Sequence, residues 1–128
     1  MKRIVLASVA ALFLVTSIAM FLAPSTVFHT LPGATMTGPF NRHFVMDVGI
    51  VFFVCGLAIV WGMRKRDATA LMFAFAWPCL HALLHLYMWV MRSFALDLPA
   101  AANFGLIQLP AWLGLWAAIG SVKAWRAG

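Results

Sequence analysis

Acid is almost missing from this chain of 128 residues: three aspartates, Asp47, Asp67 and Asp97, and no glutamate. That shortage argues against a di-iron carboxylate centre, which draws several glutamates from facing helices. Charged residues of both signs together make up only 9%, against 65% hydrophobic, which is far outside the composition of a soluble domain. Cysteine is nearly absent as well. Cys55 and Cys79 both fall inside apolar runs, with neither CxxC nor zinc-ribbon spacing, so they read as small buried hydrophobes and not as a disulfide framework or a thiolate metal site. There is no internal repeat and no low-complexity tract.

The chain consists of four apolar runs, each of about 20 residues or slightly more, the length that crosses a bilayer as a helix. The expected spans are residues 4–23, 42–63, 68–91 and 100–122, giving an all-α, four-transmembrane-helix bundle in a single integral membrane domain. The net charge of +6 does not point to nucleic acid, because the basic residues sit in the gaps between apolar runs. Lys2, Arg3, Arg64, Lys65, Arg66, Lys123 and Arg126 fall on one side of a four-span arrangement, and only Arg42 and Arg92 on the other. By the positive-inside rule both termini are cytoplasmic, N-in/C-in, in what is expected to be a bacterial inner membrane. Met1-Lys2-Arg3 before the first run resembles the start of a signal peptide. The run is long for a signal core and Pro24 follows its end, so it is expected to stay uncleaved as span one.

Residues 24–42 hold Pro24, Pro32, Gly33, Gly38 and Pro39 among Ser and Thr, the composition of a non-helical loop. Its apolar members Val27, Phe28, Leu31 and Met36 predict a partly ordered periplasmic segment folded over the bundle end as a lid. Asn41 is the expected N-cap of span two. Pro78 is expected to kink span three and Pro110 span four. Gly114/Ala118 and Ala117/Ser121 are small-xxx-small pairs for close helix approach. Thr16 and Ser17 are expected to return their hydroxyls to backbone carbonyls.

Two polar runs stand out: Gly38-Pro39-Phe40-Asn41-Arg42-His43-Phe44-Val45-Met46-Asp47-Val48-Gly49 and His81-Ala82-Leu83-Leu84-His85. Each places two polar side chains one helical turn apart. At about 1.5 Å per residue, Asp47 lies roughly 6 Å, His85 roughly 10 Å and Gln108 roughly 12 Å below the outer ends of their spans. One polar column in the outer half of the bundle is expected, with His29 descending from the loop and Met88 continuing the face of His81 and His85. An ionised carboxylate in hydrocarbon costs several kcal/mol unless paired, so the bland alternative is an Asp-His hydrogen bond pinning two helices.

Imidazoles plus one carboxylate make a metal-ligand set, with His43, Asp47, His81 and His85 as ligands for a transition metal, zinc or copper. In a catalytic site Asp47 would be the general base for bound water, and His29, Asn41, Met88 and Gln108 would support the ligands from outside. Three readings stay open beside it. A b-type haem would take His43 and one of His81 or His85 as axial ligands, with Gly49, Gly56 and Ala82 making room for the porphyrin. A metal-free column would relay protons or hold a quinone headgroup among Trp77, Trp89 and Phe44. The chain can also serve as a non-catalytic accessory or assembly subunit, its partners being the lipid bilayer and other membrane subunits or a homo-oligomer, with no nucleic acid involved.

The run GPFNRHFVMDVG, a short first span and HxxxH in span three resemble small four-helix bacterial inner-membrane proteins, and the general shape resembles the DoxX-like group. In ligand types alone, His43, Asp47, His81 and His85 are similar to the alkaline ceramidase-type membrane hydrolases. That likeness implies a buried zinc site.

Overall fold

Four stretches of apolar sequence long enough to cross a membrane form four antiparallel helical spans in a computed structural model that describes residues 1–127. No strand occurs among the described residues. The first span is one helix, α1 (Lys2–Leu22), and the second is α3 (Arg42–Lys65). Asn41 caps α3 as its position predicts, its side-chain oxygen accepting from the Phe44 amide at 3.1 Å.

Small residues decide how these two helices meet. A Cβ added at Gly49 would lie 3.1 Å from Met20 Cβ, and one at Gly56 would lie 2.8 Å from Leu14 Cγ. The glycines expected to make room for a porphyrin are therefore the seats of α1, and the space beside them is filled by Leu14, Met20 and Phe21.

The third span is broken and the fourth is locally underwound, in both cases near a proline. The third runs as α4 (Ala68–Phe73) and α5 (Ala76–Met91), with the break at Ala74 and Phe75, where the Phe75 amide turns back to Met72 O at 3.2 Å. Pro78, without an amide hydrogen, leaves Ala74 O without its helical donor, so the bend forms four residues before the proline. The fourth begins as α6 (Leu98–Ala102), passes through a π-helical segment, Asn103–Gln108, and continues as α7 (Leu109–Ala127). Pro110 cannot donate to Leu106 O, and the wider turn just before it reroutes the ladder, with the Leu109 amide bonding Phe104 O.

The connection at 24–42 departs from the non-helical expectation. It opens with a two-turn helix, α2 (Pro24–Thr30), and a 3-10 turn at Ala34–Thr37. Pro24 starts the helix because its missing amide hydrogen would have no partner there. Phe28 drops from α2 into a small cluster with Met20 and Val45, so the segment does lie over the helix ends.

Packing divides the bundle lengthwise. In the half that holds both termini, all four spans close on one core: Leu6, Ile59, Leu71 and Phe75 are essentially inaccessible, and Ala117 and Ala118 complete it from α7. Gly62 sits on Leu71, and Gly114 takes the edge of the Phe75 ring. In the other half the helices associate as two pairs. On one side α1 and α3 pack together under α2. On the other, α5 packs on the π segment, which α6 leads into, with Trp89 edge-on to Phe104 at 5.1 Å. The pairs meet through Phe52 on Trp77, 5.2 Å between centroids, and again where Gly33 of the first loop abuts Pro99 of α6. Gly33 has φ +89°, a conformation that favours glycine, and a Cβ there would come 3.1 Å from Pro99 Cβ.

Candidate functional site

The residues of the expected polar column occupy two separate places. On α3, His43 Nδ1 lies 2.8 Å from Asp47 Oδ2, an i, i+4 pair with side chains 85% and 55% exposed. The helical wheel explains the orientation. Val45 is buried, and Asp47, two residues on and about 200° around the helix, faces away from the core. This pair is a surface feature near the start of α3.

His81 and His85 lie on α5 and face the junction between the two helix pairs. Trp77, His81 and His85 follow one another up the helix: the indole stacks on His81 at 4.5 Å and 12°, and the His81 and His85 rings stand 4.5 Å apart, edge to face. Phe13 of α1 and Phe52 of α3 extend the same row, Phe13 on Phe52 at 5.2 Å and Phe52 on Trp77 at 5.2 Å. The row thus runs from the closed core into the divided half. At its turning point lies a cavity of about 10 Å³ lined by Phe52, Trp77, His81, Leu106 and Ile107 among others, no larger than one water molecule.

The two imidazoles are positioned by ring packing. Both are half-buried, and neither ring hydrogen-bonds to another side chain or carbonyl among the described residues. Among the described residues no buried side-chain nitrogen or oxygen is left without a partner, so the ring nitrogens open at the surface of the bundle. Met88, one turn beyond His85 and two beyond His81, is half-buried on the same face.

The remaining candidates have structural partners. Gln108 is buried, its Nε2 donating to Ala82 O at 2.8 Å and Asn103 Oδ1 at 3.0 Å while its Oε1 accepts from Trp112 Nε1 at 2.9 Å. It ties the π segment to α5 at Ala82. His29 stays on α2, its Nδ1 2.8 Å from Ser25 O, with Phe40 across its ring at 5.8 Å. Asn41 is a helix cap and Trp89 donates to Ala95 O at 2.8 Å. Both cysteines are free, Cys55 buried and Cys79 with its thiol 3.8 Å from Ala111 O.

Among the described residues no three His, Cys, Asp or Glu side chains come close enough to hold one metal ion together. The structure brings His43 to Asp47 and His81 to His85, and leaves the two pairs apart. Sequence reasoning missed Asn103, which is buried beside Gln108, although an asparagine inside an apolar run is a visible signal of a buried polar partner. The Gly114/Ala118 pair, expected to serve close helix approach, receives the Phe75 ring at Gly114. No family model, no curated protein and no solved structure matches this chain.

Proposed function

We propose that this membrane protein binds a transition metal on the face of α5 through His81 and His85, in the half of the bundle away from its termini. The observation that carries the reading is the pair of adjacent imidazoles without hydrogen-bond partners. An imidazole left so in hydrocarbon costs several kcal/mol, and a metal ion is the partner that uses two such nitrogens at once. Two histidines one helical turn apart are a recurrent metal-binding pair. Met88 would add a thioether on the same face, and that soft donor favours copper over zinc.

The function is metal handling and not hydrolysis. With Asp47 paired to His43 on the exposed face of α3, no Asp or Glu among the described residues joins His81 and His85 to serve as general base for a metal-bound water. The distribution of basic residues supports an orientation with both termini cytoplasmic, which turns the imidazole pair toward the external leaflet.

The test is metal retention by protein purified in mild detergent, loaded with copper(I) under reducing conditions or with zinc, then dialysed against a competing chelator. About one ion per chain is expected, falling to background in His81→Ala and His85→Ala. Met88→Leu should weaken copper and spare zinc, and Asp47→Asn should retain both. Metal held equally by the His81→Ala/His85→Ala double variant would overturn the reading.

A further inference from the structure

The end of the bundle that carries the termini holds every lysine and arginine except Arg42 and Arg92, against one aspartate, Asp67. That aspartate is engaged as the cap of α4, its Oδ1 accepting from the Ala70 amide at 3.0 Å. No basic residue at this end pairs with a carboxylate among the described residues. Such an excess attracts any anionic membrane surface in a diffuse way. One part of it is more closely built.

Lys2, half-buried at the start of α1, lies across α7. A Cβ added at Gly120 would strike the end of the Lys2 side chain, with Cδ 2.9 Å away, and Lys2 Nζ stands 5.9 Å from the centroid of the Trp116 ring. Gly120 is the gap that admits the Lys2 stem, and the face of Trp116 attracts its ammonium. Lys65 also stands over an indole, Trp61 at 5.5 Å, but that pair lies within one helix. The Lys2 contact joins two helices and fixes where the charge sits.

On α7, Trp116, Gly120 and Lys123 follow at i, i+4 and i+7 and share a face. Lys123 is exposed and lies about 6 Å before the end of α7, while Lys2 is the first residue of α1, so both stand at the rim of the bundle, where headgroup phosphates lie. One turn further into the membrane from Trp116 the same face carries Trp112, and both indoles are exposed as a wall for an acyl chain. Cations at the rim above a bare apolar wall match an acidic phospholipid. A choline or ethanolamine head would bring its own cation against Lys2 and Lys123.

We propose that this rim of α1 and α7 binds an anionic phospholipid, its phosphate held between the ammonium groups of Lys2 and Lys123. The site lies at the other end of the bundle from the histidine pair and stands or falls without it.

Native mass spectrometry of the full chain in mild detergent, titrated with phosphatidylglycerol or with phosphatidylcholine of the same acyl chains, tests the proposal. Wild type should bind phosphatidylglycerol roughly tenfold more tightly, and Lys2→Gln and Lys123→Gln should each lose about fivefold, the effect of one cation near a membrane surface. Lys65→Gln removes an equal charge from α3, diagonally across the bundle from α7, and should change the affinity by less than about twofold. Gly120→Ala alters no charge and should still weaken binding by about threefold, because it pushes the Lys2 ammonium off the Trp116 face. Inorganic phosphate in large excess should leave the lipid bound. Equal binding of the two lipids by wild type would overturn the proposal without reference to any variant. Equal losses in Lys2→Gln and Lys65→Gln would also overturn it, by reducing the feature to the diffuse charge of that end, as would wild-type affinity in Gly120→Ala. Displacement by inorganic phosphate would assign the two lysines to a soluble anion and overturn the lipid as occupant.

Discussion

The half of the bundle that carries the termini and the half that carries the long loops are built from the same four spans, yet they solve the packing problem differently. In the terminal half, glycine and alanine bring the backbones together and large side chains fill what remains: Gly62 receives Leu71, Gly114 receives Phe75, and Ile59 is fully enclosed. In the loop half the helices separate into two pairs, bridged by Phe52 on Trp77 and by Gly33 on Pro99. Every candidate ligand group lies in the divided half. The closed half fixes the helices, and the divided half is left free to expose side chains that a packed core would have to satisfy internally.

The largest expected effect tests the closed half. Phe75→Ala removes a ring that is 1% exposed and leaves the hole that Gly114 cannot fill, at a cost of about 3–5 kcal/mol. The matched truncation in the divided half, Phe44→Ala, removes a ring that is largely exposed and should change stability by less than about 0.5 kcal/mol. Reversible unfolding in mixed detergent measures both. Similar losses at the two positions would mean that the bundle is not divided as described.

Four spans, their approximate ends and the Asn41 cap are legible in the residues, because hydropathy and capping act over one element at a time. The site is less so, because it depends on how helices rotate against each other. Spacing alone shows that His43 and Asp47 share a face, and likewise His81 and His85, but it does not say which face of α3 turns inward. That is decided by Gly49 and Gly56, which admit Met20 and Leu14 and thereby fix Val45 inward and Asp47 outward. The break in span three had a similar fate. Pro78 marks it, but the bend falls at Ala74 and Phe75, where the unpaired carbonyl is.

Gln108 provides an intermediate effect, and it asks what holds the divided half together. Its amide serves Ala82, Asn103 and Trp112 at once, so Gln108→Leu would strand the Asn103 oxygen and the Trp112 indole hydrogen and should cost about 1–3 kcal/mol. Adding Asn103→Ala to it should cost little more, since the two groups act as one network. A full additive loss from the second substitution would separate Asn103 from Gln108 and leave Ala82 and Trp112 as the partners of that amide.

The smallest expected effect concerns the second loop, residues 92–97, which joins α5 to α6. Asp97 caps α6, with Oδ1 accepting from the Ala100 amide at 3.0 Å, and it also pairs with Arg92. The Ala100 amide, then the Arg92 side chain, hold its carboxyl below the ordinary value of 3.8. A depressed carboxylate contributes to the folded state in full above the unfolded value and loses that contribution as pH falls through the folded one. The loop should therefore keep its form from neutral pH down to about 3.8 and loosen only below it. Trp89 reports on it, because its indole donates to Ala95 O at 2.8 Å. Subtracting the emission of Trp89→Phe from that of wild type isolates the signal. The change below 3.8 should vanish in Asp97→Asn, which keeps a capping oxygen and discards the titrating charge. A transition centred above 3.8 would place its origin in some other group, and the second loop would then not be the clasp that holds α6 to the end of α5.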